Sequence, residues 1–226
     1  MQPLHLLARC STLPGMGGTP GWRETKKQRT RHALIQHAVR LFTEQGYEAT
    51  TIAEISTAAE ISPRTFFSYF RTKEDVLFFD HETRMARALA ILAEPRPDEA
   101  PARLLRRALL DSVLAESADN QLAAELATTR TALVNAEPAL QARELHLLFA
   151  TQRELAHALH GAYPGLDLVD AAAAVGAMVG AVTIAAATAR AAGDDEDAVR
   201  AAARHAVDLV LDGLDTLGRP ARGRRR

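Results

Sequence analysis

The amino-acid sequence predicts an all-α protein with a small basic N-terminal domain and a larger acidic helical bundle. Apolar residues recur with the 3.6-residue period of an amphipathic helix in nearly every segment, and no convincing β-strand alternation appears. The charge is divided along the chain. Residues 23–73 carry nine basic and five acidic side chains, a net charge of +4, whereas residues 74–218 carry twelve basic and 23 acidic ones, a net charge of −11. Because a local positive excess attracts polyanions, the first segment is the candidate nucleic-acid-binding part.

The composition is that of a soluble globular protein. The 226 residues suffice for one large or two small domains, with a hydrophobic fraction of 47% and a charged fraction of 24%. The single cysteine, Cys10, excludes an internal disulfide and a cysteine-rich zinc site. Residues 1–22 lack the charged n-region and long apolar run of a signal peptide, and we expect them to be disordered. These features favour a cytoplasmic protein.

Four helices are predicted in the N-terminal part. The first, RHALIQHAVRLFTEQG, has one apolar stripe and ends at Gly46. The second, TIAEISTAAE, begins with a capping box in which Thr51 is followed three residues later by a glutamate. The third, SPRTFFSYF, has Ser62 as its N-cap and Pro63 at its first helical position. A long fourth helix is predicted from Thr72 onwards, through TKEDVLFFDHETRMARALAIL.

Five further helices are predicted in the C-terminal part. Turn signals such as YPG and AAGDDED separate apolar-periodic segments. The helices are expected at roughly 101–117, 119–134, 138–160, 167–192 and 195–217. Helices of this number and length favour a bundle.

The second and third helices have the proportions of a helix-turn-helix motif. Both are short, and the three residues 60–62 form the turn between them. In this motif the first helix supports the second, whose outer face enters the major groove of DNA. The basic stretch RETKKQRTR before it is either an arm that follows the DNA backbone or minor groove, or the start of the first helix.

Four aromatic side chains lie within the third helix. Phe66 and Phe70 are four residues apart and share a face, so we expect both in the core, beside Phe42 and Ile55. The other two rings, of Phe67 and Tyr69, point away from that face. Stacking on single-stranded bases is the alternative use of such rings, and it is disfavoured because two of the four face inward.

These residues resemble a known family. The run ALIQHAVRLFTEQGYEATTIAEISTAAEISPRTFFSYFRTKEDVL is similar to the DNA-binding domain of the tetracycline-repressor (TetR) family of bacterial transcriptional regulators. The resemblance implies three N-terminal helices that read DNA and a C-terminal bundle that forms a homodimer and binds a small-molecule effector. The chain departs from the family at Glu60, where glycine is usual, and at Phe67, where tyrosine is common.

The predicted DNA contacts lie on and around the third helix. Arginine suits guanine and small hydroxyl groups suit several bases, so Arg64, Thr65 and Ser68 are assigned to base edges. Hydroxyl and ammonium groups suit phosphates, whereas a phenylalanine offers only apolar contact. The full predicted set is Thr50, Thr51, Pro63, Arg64, Thr65, Phe67, Ser68, Tyr69 and Lys73.

The stretch AAAAVGAMVGAVTIAAATA runs for nineteen residues without a charge. Small residues along one line, Gly176, Gly180 and Ala187, would let a second helix approach closely. Three interpretations stay open: a buried helix within one subunit, a dimer interface shared with the last helix, or a membrane span. The dimer interface is favoured by the resemblance, and the low content of strongly apolar residues disfavours the membrane span.

The predicted effector pocket combines residues of the fourth helix and of the segment RELHLLFATQRELAHALH. The candidates are Phe78, Met85, His146, Phe149, Gln152 and Arg153. A few polar groups among apolar ones are typical of a small-molecule cavity, although the polar stripe of this segment is also compatible with a solvated face. His157 and His160 have the spacing of a metal pair, but no cysteine completes a site, and no metal or cofactor is predicted.

The sequence therefore predicts a disordered extension (1–22), a helix-turn-helix DNA-binding domain (23–72), an effector-binding and dimerisation domain (73–218) and a basic disordered tail (219–226). The predicted partners are a double-stranded DNA operator, a small-molecule effector and a second copy of the chain, with no membrane. No nucleophile elbow, phosphate loop or paired carboxylates support catalysis. The alternative is a helical ligand carrier or enzyme with an appended DNA-binding module.

Overall fold

The computed structural model describes residues 20–114 and 117–214. Within these ranges the chain forms α-helices and one 3₁₀ helix, with no strand, which confirms the predicted all-α class. The elements in order are α1 (Pro20–Gln45), α2 (Ile52–Ala58), α3 (Pro63–Phe66), the 3₁₀ helix (Glu74–Val76), α4 (His81–Leu92), α5 (Pro101–Leu114), α6 (Ala118–Glu125), α7 (Ala127–Ala136), α8 (Pro138–Ala162), α9 (Leu168–Ala191) and α10 (Glu196–Leu214).

The first helix starts earlier than predicted. Residues 20–22 are helical rather than disordered, and the basic stretch RETKKQRTR forms the first turns of α1. A proline is favoured at the first helical position because it has no N–H to leave unpaired, and Pro20 occupies that position. Residues 1–19 and the basic tail at 219–226 lie outside the described residues, as do the predicted helical ends at 115–116 and 215–217.

The predicted long helix from Thr72 is interrupted. A 3₁₀ helix and a turn come first, and α4 begins only at His81. In this segment Val76, Leu77 and Phe79 are all buried in one core, whereas a continuous α-helix would turn neighbouring side chains to different faces. The need to bury these side chains together explains the break.

The helix predicted at 119–134 is also two helices. The chain bends at Leu126, which ends α6 and starts α7. No glycine or proline lies near the bend, so no breaker residue in the sequence marks it.

Two hydrophobic cores organise the chain. The first joins α1, α2, α3 and the segment 76–79 to side chains of α6, α7 and α8, namely Leu122, Ala123, Val134 and Leu140. The second lies among α4, α5, α8, α9 and α10. The first core thus extends past the predicted domain boundary at 72/73, and α6 and α7 are packed against the N-terminal helices.

Ion pairs reinforce this junction. Asp119 of α6 binds Arg31 of α1 at 2.8 Å and the Nε2 atom of His32 at 2.7 Å. Arg31 also donates a hydrogen bond to the carbonyl oxygen of Phe79. A second pair joins Arg143 of α8 to Asp75 at 2.7 Å. Movements of α6 or α8 are therefore linked directly to the helices that carry the candidate DNA-binding surface.

The uncharged helix α9 lies between α8 and α10 and also contacts α5. Its buried face contributes Ala171, Ala174, Val175, Met178 and Val179 to the second core. Among the helices of the described ranges, α9 is long and apolar enough to cross a membrane by length and composition, a test that core helices of soluble bundles also pass. One face of α9 is packed in the bundle, whereas Val169 and Ile184 on other faces are exposed.

Candidate nucleic-acid interface

The turn between α1 and α2 is closed by its own hydrogen bonds. Gly46 adopts a φ of 90°, which glycine tolerates without steric cost. The Thr50 hydroxyl donates to the Gly46 carbonyl oxygen at 2.8 Å and accepts from Gln45 at 3.3 Å. Because Thr50 is only 1% exposed, its side chain stabilises the turn, and this geometry does not support the predicted phosphate contact.

The start of α2 has the predicted capping box. The Thr51 hydroxyl accepts from the Glu54 backbone N–H, and the Glu54 carboxylate accepts from the Thr51 N–H at 2.8 Å. The hydrogen bond from the Thr51 backbone N–H contributes most to a lowered pKa of Glu54, and the hydrogen bond from the Thr51 side chain adds to it. Thr51 is exposed, and its hydroxyl also donates to the Glu54 carboxylate at 2.8 Å.

The turn that follows α2 places Glu60 in the left-handed region, with a φ of 56°. The Ile61 N–H donates to the Ser56 carbonyl oxygen and the Glu60 N–H to the Thr57 carbonyl oxygen, the two hydrogen bonds of a Schellman motif. Glycine is favoured at this position because a side chain there costs about 1–2 kcal/mol. The chain therefore keeps a left-handed turn residue here with a strained glutamate in place of glycine.

Helix α3 is capped as predicted. The Ser62 hydroxyl accepts from the Thr65 N–H at 3.1 Å, and Pro63 is the first helical residue. Hydrogen bonds continue one turn beyond the α-helix, so that the Phe70 N–H still donates to the Phe66 carbonyl oxygen at 3.0 Å. The whole segment from Ser62 to Phe70 is thus one helical unit.

The buried face of this unit fixes its orientation. Phe66 is fully buried and Phe70 nearly so, in the same core as Phe42 and Ile55. Burial of such a side chain stabilises the fold by about 1.5–3 kcal/mol. The prediction that two of the four rings face inward is confirmed.

The opposite face carries the candidate DNA contacts. Pro63, Arg64, Phe67 and Ser68 are exposed, and Thr65 is half-buried. The Phe67 ring, 56% exposed, packs edge-on against Phe66 with 5.6 Å between ring centroids. In the described part of the chain, no side chain pairs with the guanidinium of Arg64. An exposed cation, an exposed ring and a hydroxyl therefore share one rigid surface.

The two other predicted contacts lie at its edge. Tyr69 is half-buried and packs against the first core. The Lys73 ammonium donates to the carbonyl oxygens of Tyr47 at 2.8 Å and Thr50 at 3.3 Å, and it lies 4.0 Å from the centre of the Tyr47 ring. Lys73 thus holds the turn before α2 to the segment that follows α3.

Tyr47 and Glu74 complete this arrangement, and the sequence analysis missed both. The buried Tyr47 hydroxyl donates to the Glu74 carboxylate. Burial and this hydrogen bond raise the pKa of Tyr47. Burial alone would raise the pKa of Glu74 as well, but its hydrogen bonds outweigh burial and lower that pKa. The two residues are 27 positions apart, and no local spacing could have paired them.

The predicted effector residues do not share one enclosed surface. Phe78 packs against the first core and Met85 against the second. His146 and Arg153 are exposed, Phe149 is 64% exposed, and Gln152 is half-buried. The pocket is therefore not supported in this form, because the polar stripe of α8 faces outward.

The two histidines with the spacing of a metal pair make different contacts. His160 forms a hydrogen bond through Nδ1 to the Leu166 carbonyl oxygen at 2.7 Å, and His157 is exposed. A search of the described residues finds no cluster of three or more histidine, cysteine or acidic side chains that could hold a metal ion.

The candidate dimer residues face open space within the described part of the chain. A Cβ atom built on Gly176 or Gly180 would meet nothing within 4 Å. Ala187 is exposed, and so is the large side chain of Ile184 one turn away. This side of α9 is free to accept another helix.

Comparisons with known proteins identify the N-terminal domain. Residues 34–78 match the family model described as bacterial regulatory proteins, tetR family. The chain is 53% identical over 57 residues to the HTH-type transcriptional regulator TcmR of Streptomyces glaucescens, over 25% of each protein. It is 46% identical over 48 residues to the HTH-type transcriptional regulator HbdR of Aromatoleum sp. (strain CIB), over 21% of each protein. The matched segment thus spans about a quarter or less of the length of these relatives.

Two solved structures that overlay the chain have TM-scores below 0.5. The fatty acid degradation regulator FadR from Bacillus halodurans overlays 80% of this chain and 94% of its own, with a TM-score of 0.46 and 20% identity. A TetR-like transcriptional regulator from Rhodococcus sp. RHA1 overlays 82% of this chain and 96% of its own, with a TM-score of 0.42 and 24% identity. The match at residues 34–78 coincides with the helix-turn-helix unit and its supporting helix α1. Residues 34–78 are therefore similar to the TetR family of bacterial regulatory proteins.

Proposed function

We propose that this protein is a transcriptional regulator that binds a specific double-stranded DNA operator. The observation that carries the proposal is the exposed face of α3, where Arg64, Phe67 and Ser68 stand on a helix whose other face is anchored by Phe66 and Phe70. A rigid helix with a polar and cationic outer face suits the major groove. The matched relatives are named as transcriptional regulators, which supports this function over an enzymatic one.

Each exposed side chain of α3 has a proposed role. The free guanidinium of Arg64 suits bidentate hydrogen bonds to guanine O6 and N7, and the Thr65 and Ser68 hydroxyls suit several bases. Phe67 offers apolar contact to the methyl group of thymine. Pro63 packs at the start of the helix, beside the bases that Arg64 reaches.

The phosphate contacts surround this helix. Tyr69 is proposed to bind a phosphate oxygen directly through its hydroxyl group. Thr51 is proposed to do the same by exchanging the Glu54 carboxylate, to which its hydroxyl donates at 2.8 Å, for a phosphate oxygen. Lys73 contributes a positive charge near the backbone, while its hydrogen bonds to the Tyr47 and Thr50 carbonyl oxygens hold α2 in place. Its role is therefore mainly to position the other contacts.

Two copies of the chain are proposed to bind a pseudo-palindromic operator. The open side of α9, with Gly176, Gly180 and Ala187, supports close packing of the same helix from a second subunit, together with α10. A dimer presents two recognition helices about one turn of DNA apart, or a multiple of that distance. Specific binding then requires both half-sites and an intact dimer.

A repressor released by a small-molecule effector is the proposed mode of regulation. The effector would bind the bundle formed by residues 73–218 and change the distance between the two recognition helices. The support is the shared core through which α6, α7 and α8 contact the DNA-binding helices. A coupling of about 1–3 kcal/mol would lower operator affinity some 5- to 150-fold.

Sequence selection in vitro tests the DNA-binding function. Purified full-length protein is incubated with a pool of random duplexes, and bound duplexes are amplified over several rounds. We expect enrichment of one inverted repeat, present in the DNA upstream of the protein's own gene. A pool that remains random after selection would contradict a sequence-specific function. The matched control is Arg64→Ala, which is expected to lose preference at one position of each half-site.

A further inference from the structure

Two arginine side chains from different helices share one carboxylate near the start of α4. Arg84 of α4 lies 2.8 Å from the Asp80 carboxylate, and Arg130 of α7 lies 3.3 Å from the other oxygen of the same group. Arg190, near the end of α9, reaches Glu196 of α10 at 3.3 Å. Arg130, Arg190 and Glu196 all lie close enough to Arg84 to affect its pKa. We call these five side chains the arginine cluster.

The arginine cluster has more positive charge than its own carboxylates balance. Arg84 and Arg130 share the one carboxylate of Asp80, so these three side chains carry an excess of one positive charge. Each guanidinium carries five N–H donors, so the donors also outnumber the carboxylate oxygens. Within the described ranges, two buried atoms of the cluster have no hydrogen-bond partner, the Nε of Arg190 and the Oδ2 of Asp80, although this oxygen forms an ion pair with Arg84. Burial, and then repulsion from the other two arginines, lowers the pKa of Arg84, while the two carboxylates raise it.

The excess charge is accessible from solvent. The Arg84, Arg130 and Arg190 side chains are 29%, 23% and 24% exposed, whereas Asp80 is only 4% exposed. The carboxylate that two arginines share therefore lies behind them. An approaching anion meets the guanidinium groups first.

We propose that the arginine cluster binds a small oxyanion, the carboxylate or phosphate group of a small molecule. Planar guanidinium groups bind both kinds of oxyanion through paired, charge-assisted hydrogen bonds. This proposal rests on the proposed regulatory function, because it assigns the effector to the class of small anions. It also places the anion group away from Arg153 and His146, the exposed residues suggested by the sequence.

The position of the cluster connects it to the DNA-binding helices. Asp80 directly follows Phe79, whose carbonyl oxygen accepts a hydrogen bond from Arg31 of α1. Arg84 also donates to Asn120 at 3.4 Å, next to the Asp119 that binds Arg31 and His32. An anion that competes with Asp80 for Arg84 and Arg130 would loosen the start of α4. That change would reach α1 through two direct contacts.

Calorimetric titration without DNA tests the site. Inorganic phosphate and acetate are titrated separately into the full-length protein at constant ionic strength, with chloride as the reference salt. We expect saturable binding of at least one of the two anions. Arg130→Gln and Arg190→Gln should each weaken it about tenfold or more, because each removes charge-assisted hydrogen bonds. Absence of saturable binding for both anions would overturn the proposal.

Two control variants locate the binding. Arg153→Gln removes an exposed arginine of α8 and should leave anion affinity unchanged. Arg64→Gln removes the exposed arginine of α3 and should also leave it unchanged. If Arg64→Gln abolishes anion binding while Arg130→Gln and Arg190→Gln do not, the anion occupies the DNA-binding surface and the proposal is wrong.

Folding is measured separately for the same variants. Arg130→Gln leaves Asp80 with Arg84 as its one partner, so urea unfolding is used to show whether this variant retains the fold. Arg190→Lys is the second variant, because it keeps the positive charge at position 190. It should weaken anion binding because it loses the planar fork of donors. Full anion affinity in a folded Arg190→Lys protein would count against the site. Since no step uses DNA, failure here leaves the DNA-binding function untouched.

Discussion

The Lys73 ammonium donates a hydrogen bond to the Tyr47 carbonyl oxygen at 2.8 Å while lying 4.0 Å from the centre of the Tyr47 ring. These contacts fasten the turn before α2 to the segment after α3. The Tyr47 hydroxyl in turn donates to Glu74, next to Lys73 in the chain. The orientation of the candidate recognition helix therefore depends on contacts among Tyr47, Lys73 and Glu74, which lie outside that helix.

Replacement of Lys73 by methionine should destabilise the fold as well as weaken DNA binding. The change removes hydrogen bonds from a charged donor, which typically contribute about 1.5–3 kcal/mol. We expect urea unfolding to show a loss of this size and DNA affinity to fall alike for specific and random duplexes. Lys27→Met, at an exposed position of α1, is the control for loss of charge alone. Unchanged stability with weaker DNA binding would instead assign the ammonium to a phosphate.

Replacement of Glu60 by glycine should stabilise the protein. Glu60 has a φ of 56°, and glycine removes the steric cost of this conformation, a gain of about 1 kcal/mol after its larger entropy loss. Urea unfolding measures the gain. Glu60→Ala is the control, since it removes the charge but keeps a Cβ atom. Equal gains in both variants would show that charge, and not backbone strain, is responsible.

The ion pair of Glu99 and Arg107 should make stability depend on pH in the acid range. Arg107 donates to both carboxylate oxygens, at 2.9 and 2.7 Å, and these hydrogen bonds lower the pKa of Glu99 from 4.5 to about 2. Because the folded-state pKa is the lower one, the pair stabilises the fold above the unfolded-state pKa, and this stabilisation is lost as the pH falls towards 2.

Comparison with Glu99→Gln isolates this effect. The difference in free energy of unfolding between the two proteins should be constant above the unfolded-state pKa of 4.5 and should shrink steadily below it. Thermal or urea unfolding over this range provides the measurement. A difference that does not change with pH would mean that the pair does not lower the Glu99 pKa.

Replacement of Gly180 by leucine should disrupt a dimer without disrupting the fold. A side chain at this position meets nothing within 4 Å in the single chain, so any clash arises from a partner helix. Overpacking of a close crossing costs about 1–3 kcal/mol at each copy. Sedimentation should show monomers at concentrations where the wild-type protein is dimeric. Gly161→Leu, an equally open helical glycine in α8, is the control, and an intact Gly180→Leu dimer would place this residue outside the interface.

Local sequence signals predicted the helix-turn-helix unit well. The capping box at Thr51, the cap at Ser62 and the four-residue spacing of Phe66 and Phe70 each involve neighbours on one helix. Such short-range patterns determine caps and faces without knowledge of the rest of the fold. The same locality explains why the exposed face of α3 agrees with the predicted positions of Arg64, Phe67 and Ser68.

Features that depend on distant residues were not predictable in this way. The break between residues 72 and 81 arises because Val76, Leu77 and Phe79 fill a core that α1, α6 and α8 also build. The burial of Thr50 and the engagement of Lys73 depend on partners up to 26 positions away. The residues predicted for the effector pocket do not share one surface for a similar reason. The walls of a pocket come from several helices, and their residues have no fixed spacing in the sequence.

The most direct test of the central claim is the salt dependence of DNA binding by the wild-type protein and Arg64→Ala. Fluorescence anisotropy is measured on the selected inverted repeat and on a random duplex of equal length. If about six phosphates are neutralised, wild-type affinity should fall roughly a thousandfold between about 50 and 200 mM salt. Arg64→Ala should cost about 1–3 kcal/mol on the repeat and little on the random duplex. Affinity that is independent of salt and equal for both duplexes would contradict a DNA-reading role for α3.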